Sequence, residues 1–439
     1  MKSTSERVQS VFELQTQHKW VNKVSSAEQR LDKLRKLRTA IQAREDDVVQ
    51  ALHDDLRRDE EGARGEANSI YGEIAHAEAE LANWMAPEEA DPTPFVDSKA
   101  RLTYESRGIV LLFSPWNYPF ASLFQPLVSI IAAGNCAMVK PNELAPAVSK
   151  LAAEIINEVF DEKDVAVFEG GVDLANELLE LPTDHIFFTG SPAVGKIIMG
   201  AAAKNLSSVT LELGGKNPVI IDRTADLADA AGKIAAFRNM NNGQVCLCPE
   251  NIWVPEEMED EFIATVQGTF QAMFYTDGKL NPDSTGKIID ERNFNRVKNY
   301  IDDAREKGAN IVCGGESDAD LRSIHPTIMT NVPENAVIMG EETFGPILNV
   351  FTYKEVDEAI SHVQQQPKAL ALYIFTQDDE FVEKILASTS SGGVTVNNIL
   401  MHVAVPGLPF GGVNSSGIGA YHGKYGFAEL SHQRSVLHM

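Results

Sequence analysis

The sequence predicts an α/β protein built from two open α/β units in tandem, and three observations lead to this prediction. The chain has 439 residues, which corresponds to two or three packed units at roughly 150 residues each. Hydrophobic residues make up 44% and charged residues 23% of it, which is typical of globular proteins and excludes coiled coils and disordered chains. From Gly108 onwards, short apolar runs alternate with segments of helical period, a pattern that favours parallel sheets covered on both faces.

The first hundred residues are predicted to be helical. Apolar side chains recur there at spacings of three, four or seven in two groups: Leu31, Leu34, Ile41, Val48 and Leu52, and then Ile70, Ile74, Ala77, Leu81 and Trp84. The acidic, proline-rich stretch 86–94 ends this region and opens a crossing segment.

Two series of strands and helices follow. The first series is predicted to have strands at 108–113, 136–139, 165–168, 185–188 and 207–213, with helices at 144–160 and 192–204. The second is predicted to have strands at 219–222, 252–254, 371–375 and 394–396, with helices near 226–239, 256–274 and 290–307.

The charge and the cysteines limit the partners and the location of the protein. The net charge of −25 repels phosphate backbones and anionic lipid, so we expect neither a nucleic acid nor a membrane partner. No apolar run approaches the ~18 residues of a membrane helix, and the polar N-terminus lacks a signal-peptide pattern. Four cysteines are too few for a disulfide framework, which indicates reduced thiols in a cytoplasmic protein.

A glycine turn at Gly190 follows a predicted strand and leads into a helix, an arrangement in which backbone N–H groups can face an anion. The segment 190–196 is nearly a Walker A loop, but Ile197 stands where that loop needs a hydroxyl for Mg²⁺. Nucleoside triphosphate hydrolysis is therefore disfavoured. The remaining alternative is that the glycines only allow close packing.

Glu212 lies within an apolar run directly before two glycines. A buried carboxylate has a raised pKa and can act as a general base near neutral pH. The alternative is a salt-bridged glutamate at the end of a strand.

Cys246 lies in the polar turn 241–248, where an exposed thiolate would be a strong nucleophile. One alternative is a small buried side chain. Another is a metal site formed with Cys248, but no second cysteine pair or histidine pair lies nearby in the sequence, so we expect no metal.

Asn117 follows the 108–113 strand in a loop that prolines fix on both sides. Its amide could donate a hydrogen bond to a developing oxyanion. The alternative is an asparagine that only satisfies the turn.

Taken together, these segments resemble the aldehyde dehydrogenase superfamily in both identity and order. Three more segments carry the resemblance, which covers about residues 100 to 432: 139–143 (VKPNE), 341–346 (EETFGP) and 409–419 (PFGGVNSSGIG). The short N-terminus and the ending SGIGAYHGKYGF at 416–427 are most similar to the class 3 and coniferyl aldehyde dehydrogenase branch.

The resemblance implies roles for three catalytic residues. Cys246 matches the family's nucleophile and Glu212 its general base. Asn117 matches the oxyanion site, together with the backbone N–H of Cys246. The implied reaction is NAD(P)⁺-dependent oxidation of an aromatic or medium-to-long aliphatic aldehyde to the acid, with Tyr118 at the wall of the entry tunnel.

The resemblance also implies a bound dinucleotide. The matching positions are Lys140 and Glu143 at the adenine ribose, Gly190, Ser191 and Gly195 at the pyrophosphate turn, and Glu342 and Phe344 at the nicotinamide ribose and ring. Glu143 near the 2′-hydroxyl would repel a 2′-phosphate and so favours NAD, with NADP possible.

The family architecture further implies a division of the chain and a homodimer. Residues 1–83 and 107–211 are expected to form a Rossmann-like NAD(P)-binding domain, and 212–393 the catalytic domain. Residues 84–106 and 394–439 are expected to form a small β arm for bridging and oligomerisation and the C-terminal segment. The strand after Gly393 is expected to belong to the arm.

Three alternatives stay open at this point. A CoA-acylating aldehyde dehydrogenase would pass the acyl group to a thiol, but members of that type generally lack the base that Glu212 provides. A non-catalytic family member is opposed by the presence of Cys246, Glu212 and Asn117 together. Cys248 could protect Cys246 through a reversible disulfide, although a packing role is favoured.

Overall fold

The computed structural model describes residues 3–439, and its chain begins with four helices. Their bounds are α1 (Thr4–Lys23), α2 (Ala27–Gln42), α3 (Glu45–Leu56) and α4 (Glu60–Trp84). Ser3 and Ser26 form capping boxes at the starts of α1 and α2, and Asp59 caps α4, so each side chain satisfies backbone N–H groups that the helix leaves free. The apolar positions that predicted this region are buried, and the prediction of a helical N-terminal region is confirmed.

The next part of the chain alternates between strands and helices. Its elements are β1 (Glu88–Ala90), β2 (Lys99–Ser106), β3 (Ile109–Phe113), α5 (Ala121–Ala132), β4 (Cys136–Lys140), α6 (Pro146–Val159), β5 (Val165–Val167), α7 (Val172–Leu179), β6 (His185–Thr189), α8 (Pro192–Asn205) and β7 (Ser208–Glu212).

The remaining elements run to the C-terminus. They are β8 (Asn217–Ile221), α9 (Leu227–Asn239), β9 (Pro249–Pro255), α10 (Glu259–Phe274), β10 (Tyr275–Thr276), β11 (Lys279–Leu280), α11 (Glu291–Glu306), β12 (Asn310–Cys313), β13 (Ser317–Asp318), β14 (Ser323–Ile324), β15 (Thr327–Thr330), α12 (Val337–Gly340), β16 (Ile347–Tyr353), α13 (Val356–Gln365), β17 (Ala371–Phe375), α14 (Asp379–Ser388), β18 (Gly393–Val396), β19 (Gly417–Ile418), α15 (Gly423–Glu429) and β20 (Ser431–His438).

Strands of the first series form a six-stranded sheet in the order β19-β7-β6-β3-β4-β5. Strands β3 to β7 are parallel, and only β19 is antiparallel. The chain builds β3, β4 and β5 in one direction and then returns to place β6 and β7 on the other side of β3. Such a reversal opens a crevice at the carboxyl ends of the strands, where open α/β sheets bind their ligands.

The second series forms a seven-stranded sheet in the order β12-β15-β16-β9-β8-β17-β18. All neighbouring pairs are parallel except β12 with β15. The predicted pair of α/β sheets is therefore confirmed. Strands β8, β9 and β17 are buried along their whole length, as expected of a parallel sheet covered by helices on both faces.

A small antiparallel sheet, β1-β2-β20, lies apart from the two large ones. Its main pairing joins β2 to β20 over eight residues, from Lys99 opposite His438 to Ser106 opposite Ser431. The expectation that the strand after Gly393 belongs to this arm is wrong: β18 pairs in parallel with β17. Because α14 connects these two strands, the chain makes an ordinary β-α-β crossover and returns to the seven-stranded sheet.

The helices give no sign of a membrane span. No helix within residues 3–439 combines the length and apolar character needed to cross a bilayer.

Candidate active site

A single large cavity, about 1640 Å³ in volume, brings the predicted site residues together. Those that line it are Asn117, Lys140, Glu143, Gly190, Ser191, Glu212, Cys246, Glu342 and Phe344. Gly195 is the exception: it lies in α8 and does not line the cavity. A Cβ there would lie 2.9 Å from Leu213 Cδ2, so this glycine allows close packing of α8.

The turn that carries Cys246 is held in an unusual backbone conformation. A 3₁₀ turn at Met240–Gly243 precedes it, and Asn241 and Asn242 have φ values of 52° and 54°. A Cβ on Gly243 would lie 2.3 Å from the Gly345 carbonyl carbon, so only glycine fits there. Asn217 Nδ2 donates to the Cys246 carbonyl oxygen at 2.7 Å. These contacts fix the turn and leave the half-buried Cys246 side chain on the cavity wall.

The electrostatic surroundings of Cys246 favour the thiol form. Burial raises the pKa of Cys246, and the carboxylates of Glu342 and Glu212 raise it further. The group is therefore protonated at neutral pH in this arrangement. It becomes a thiolate when a base accepts its proton or a positive charge enters the cavity.

Glu212 is the last residue of β7 and lies on the same cavity wall. Its side chain is buried, and among the described residues neither carboxylate oxygen has a hydrogen-bond partner. The alternative of a salt-bridged glutamate is therefore wrong within the part of the chain described. Burial raises the pKa of Glu212 well above its usual range, and Glu429 adds to the shift. A carboxyl group with a raised pKa can, in its ionised form, accept a proton near neutral pH.

Asn117 is tied directly to the backbone beside Cys246. Its Nδ2 donates to the Gln244 carbonyl oxygen at 3.0 Å, and Asn241 Nδ2 donates to the Asn117 carbonyl oxygen at 2.9 Å. An amide NH₂ group has two hydrogens, so one remains for a ligand in the cavity. The arrangement can therefore present a donor to an oxygen on a carbon bonded to Cys246.

The other end of the cavity has the features of a dinucleotide site. Lys140 ends β4, and its Nζ contacts the Glu143 carboxylate and the Pro141 carbonyl oxygen. A Cβ on Gly190 would lie 2.5 Å from the Phe188 ring. Ser191 caps α8, whose first turn contains no acidic residue. The free N–H groups of this helix end can therefore receive an anion such as a pyrophosphate.

Exposed apolar side chains border the same end. Val172, Val194 and Ile197 are 67%, 41% and 61% exposed, and all three line the cavity. Exposed apolar groups inside a concave site favour a flat aromatic ligand such as adenine. The residues present thus fit the dinucleotide that the sequence analysis implied.

Glu342 and Phe344 line the same cavity, and the Glu342 carboxylate acts electrostatically on Cys246. The Glu342 carboxylate lies directly over Gly214, where a Cβ would come within 1.9 Å of Oε2. Burial raises the pKa of Glu342 to about 8, and Glu250 adds to the shift. Phe344 has a φ of 45°, and its ring meets Trp116 edge to face at 5.3 Å.

A buried ion pair that the sequence analysis missed holds this segment in place. Lys216 Nζ contacts the Glu250 carboxylate and donates to the carbonyl oxygens of Ile338 at 2.6 Å and Glu341 at 3.0 Å. Glu250 also accepts from the Thr343 hydroxyl at 2.7 Å. Lys216 could have been found from the sequence, because it lies in the same motif as Glu212. Glu250 could not, because it lies in no motif that the sequence analysis recognised.

Replacing Lys216 with methionine should lower the free energy of unfolding by about 3–5 kcal/mol, because Glu250 is left as an uncompensated buried charge. Urea denaturation would measure the change. Lys204→Met is the matched control, since its pair with Glu180 is more than half exposed and should contribute less than about 1 kcal/mol. Equal losses in the two variants would contradict the role given to Lys216.

Cys248 does not share the cavity with Cys246. It is buried, and its Sγ contacts the carbonyl oxygens of Phe237 at 3.3 Å and Arg238 at 3.8 Å. The side chain is thus directed at the end of α9, which supports a packing role. Within residues 3–439, no three His, Cys, Asp or Glu side chains are grouped so as to hold a metal ion.

Cys248→Ala should leave kcat within about twofold of the wild-type value, since the side chain contacts only backbone and core atoms. Steady-state kinetics would test this. Peptide mapping after peroxide treatment should show no link between residues 246 and 248. A large fall in kcat, or such a link, would restore the redox hypothesis.

The family model for the aldehyde dehydrogenase family matches residues 2–436. Curated proteins of similar sequence are also named aldehyde dehydrogenases. The putative aldehyde dehydrogenase AldX of Bacillus subtilis is 43% identical over 98% of this chain and 97% of its own length. A coniferyl aldehyde dehydrogenase of a Pseudomonas species is 42% identical over 86% of this chain and 80% of its own. A dimeric, NADP-preferring aldehyde dehydrogenase of Canis lupus familiaris is 40% identical over 93% and 89%.

Solved structures agree with the fold. The substrate-bound state of Staphylococcus aureus AldH superposes with a TM-score of 0.94 at 37% identity, covering 100% of this chain and 94% of that one. A Mycobacterium tuberculosis aldehyde dehydrogenase complexed with NAD⁺ gives a TM-score of 0.88 at 27% identity, covering 98% and 90%. The chain therefore belongs to the aldehyde dehydrogenase family, and it is an oxidoreductase that acts on aldehydes with NAD or NADP.

Proposed function

We propose that this enzyme oxidises an aromatic or medium-to-long aliphatic aldehyde to its carboxylic acid through a thioester on Cys246. One observation carries the proposal. Cys246, Glu212 and Asn117 line one cavity, and Asn117 is hydrogen-bonded to the backbone two residues before Cys246.

The reaction begins at the Cys246 sulfur. Because burial and two carboxylates raise the pKa of Cys246, the thiol must first lose its proton to solvent, and a positive charge in the cavity would favour this loss. The thiolate adds to the aldehyde carbon and forms a thiohemiacetal. Its oxyanion accepts hydrogen bonds from the free Asn117 amide hydrogen and the Cys246 backbone N–H.

NAD(P)⁺, when bound, supplies the hydride acceptor for the oxidation of this thiohemiacetal to a thioester. Lys140 and Glu143 would hold the adenine ribose hydroxyls, and the N-terminal end of α8 at Ser191 would hold the pyrophosphate. Glu342 and Phe344 would border the nicotinamide end, with Gly190 permitting the close turn and Gly195 the close packing of α8 that follows it. The product thioester stays on Cys246.

Hydrolysis completes the cycle and requires a base. Neither Glu212 oxygen is occupied by a partner among the described residues, so the ionised carboxylate can accept a proton from water as that water attacks the thioester. The acid is released and the Cys246 thiol is regenerated.

We propose that NAD is preferred over NADP. Glu143 is paired with Lys140, and its side chain is 38% exposed, which leaves its charge near the ribose position. Glu143→Gln should raise kcat/KM for NADP⁺ relative to NAD⁺ by ~10-fold, because the charge that opposes a 2′-phosphate is removed. Glu169→Gln, an exposed carboxylate outside the cavity, is the control. An unchanged ratio would contradict this role for Glu143.

The proposed substrate class has support from the cavity and from one relative. Tyr118, Leu400, Val403 and Phe410 line the wall near Cys246, and such apolar and aromatic walls favour aromatic or long-chain groups. The Pseudomonas relative is named for coniferyl aldehyde.

We also propose a homodimer in the cytoplasm. Residues 1–83 and 107–211 would bind NAD(P), 212–393 would carry the chemistry, and the β1-β2-β20 sheet would be the arm that contacts the partner. All four cysteines are free thiols, which supports a reducing compartment. Light scattering should give twice the 48.0 kDa chain mass.

The experiment that tests the proposed function is an aldehyde panel assayed with NAD⁺ and NADP⁺ in the absence of CoA. We expect equal amounts of acid and reduced cofactor. Acid derivatives that form only with CoA would favour a CoA-acylating enzyme instead. No reduced cofactor with any aldehyde would favour a non-catalytic family member.

A further inference from the structure

A line of hydrogen-bonded polar side chains runs along the sheet behind Glu212. Ser208, Thr210 and Glu212 alternate along β7, so all three project from the same face of the sheet. His185 on the neighbouring β6 is fully buried. Its Nδ1 lies 2.7 Å from Ser208 Oγ, and its Nε2 lies 3.0 Å from Thr210 Oγ1. The row therefore runs along β7 towards Glu212, from the half-buried Ser208 to the buried Thr210.

The line ends on a second carboxylate, that of Glu429 in α15. Thr210 Oγ1 donates to Glu429 Oε1 at 2.9 Å. The short strand β19 pairs Gly417 with Glu212, and a Cβ on the nearby Gly419 would lie 2.5 Å from Glu429 Oε1. The Glu429 carboxylate is thus packed onto the backbone that pairs with the end of β7.

The hydrogen bonds of this line all run in one direction, with each donor oriented towards Glu429. Burial lowers the pKa of His185 to about 3, and Arg107 adds to this shift, so the imidazole is neutral and has one N–H. Because Thr210 donates its only hydrogen to Glu429, Thr210 Oγ1 accepts from His185 Nε2. Ser208 Oγ then donates to His185 Nδ1 at 2.7 Å in preference to the Asp184 carbonyl oxygen at 3.3 Å. Arg107 Nη1 donates to Ser208 Oγ at 3.1 Å. Every donor in the line therefore points towards Glu429.

We propose that Glu429 is a positioning residue for the reaction: Thr210 and the line behind it hold the Glu429 carboxylate beside the end of β7, where it acts on the base Glu212 without entering the cavity. The proposal rests on the role given to Glu212 in the proposed function. Glu429 itself is not part of the cavity lining, so it acts through Glu212 and does not touch the aldehyde.

The surroundings of Glu212 support this assignment. Its titratable neighbours are Cys246 on the cavity wall, Tyr421 from the segment before α15, and Glu429. The charged neighbour of Glu429 is Arg107, whose Nε donates to the Glu429 carbonyl oxygen at 2.7 Å. Burial is the main cause of the raised pKa of Glu212, and Glu429 is the charged group that adds to it. Both Glu212 oxygens lack a donor among the described residues, so no nearby hydrogen bond offsets the repulsion. Removing the charge of Glu429 should therefore let Glu212 ionise at lower pH.

The test is the pH dependence of thioester hydrolysis in the variant Glu429→Gln, whose amide oxygen can still accept from Thr210. An activated aryl ester, p-nitrophenyl acetate, places an acyl group on Cys246 without any nicotinamide cofactor. The hydrolysis rate is then followed from about pH 5 to about pH 9. We expect the midpoint of the profile to move down by about half to one pH unit, with the KM for the ester unchanged. A midpoint equal to that of the wild type would overturn the proposal.

Three further variants make the result specific. Glu429→Asp keeps the charge, and we expect a midpoint within about a quarter of a unit of the wild type. Glu158→Gln removes a charge on the exposed face of α6 and should not move the midpoint. Thr210→Val releases the Glu429 carboxylate and should move the midpoint in the same direction as Glu429→Gln. If Glu429→Gln does not fold, the Thr210→Val midpoint decides: a downward shift supports the proposal and an unchanged midpoint overturns it.

Glu212→Gln separates this inference from the proposed function. If that variant hydrolyses the acyl-enzyme as fast as the wild type, Glu212 is not the base and the proposed function fails. If Glu212→Gln stalls but Glu429→Gln keeps the wild-type midpoint, only the role of Glu429 fails.

Discussion

Replacing Cys246 with alanine should lower NADH formation by at least ~10⁴-fold with every aldehyde, since losing a nucleophile removes the whole covalent route. The effect should come from chemistry alone. Cys246 lies on the cavity wall, and the contacts that fix its turn use backbone atoms, as with Asn217 Nδ2 on the Cys246 carbonyl oxygen. The variant should therefore fold and bind the dinucleotide as the wild type does.

The measurement is steady-state kinetics of Cys246→Ala, with dinucleotide affinity by calorimetry as a check on folding. Cys248→Ala is the matched control, because it removes a thiol two residues away that faces the end of α9. Comparable losses of activity in both variants would show that any substitution in this turn disrupts the site, so that the loss is not specific to the Cys246 sulfur. Retained activity in Cys246→Ala would show that another group is the nucleophile.

Replacing Glu212 with glutamine should permit about one turnover and then stop the enzyme at the thioester. The amide has nearly the same shape but cannot accept a proton from water, and loss of a general base typically costs ~10²–10⁴-fold. The steady rate should fall by that factor, while a burst of NADH close to one equivalent per active site remains. Stopped-flow absorbance would measure the burst and the steady rate separately.

Two outcomes would contradict the role of Glu212. A steady rate equal to that of the wild type would show that water is activated by another group. Complete loss of the burst would show that Glu212 is needed before the thioester forms and is the essential acceptor of the Cys246 proton. Adding an external nucleophile such as hydroxylamine should restore turnover only if the thioester accumulates.

The sequence predicted the strands that are buried on both faces, because their apolar runs are continuous. β3, β4 and β17 were all placed within one or two residues. β16 was missed, and its run is interrupted by the buried Asn349, whose amide bonds to Asn251 on the neighbouring strand. β20 was missed because seven of its eight residues are exposed or half-buried, so no apolar pattern marks it.

The site residues that could be predicted are those that lie in short, contiguous sequence motifs. Cys246, Glu212 and Asn117 all line the cavity, as expected. Glu250 and Glu429 could not be found in this way. Their partners Thr343 and Thr210 are 93 and 219 residues away in the chain, and only the fold brings such pairs together.

The central claim is that the Cys246 sulfur carries the acyl group, and mass spectrometry of the stalled enzyme tests it most directly. Glu212→Gln enzyme would be mixed with aldehyde and NAD⁺, quenched in acid, digested and fragmented. We predict that the peptide containing 246–248 gains the mass of the acyl group less one hydrogen, with fragment ions that place it on Cys246. NADH formation accompanied by an unmodified Cys246, or by an acyl group on another residue, would contradict the account.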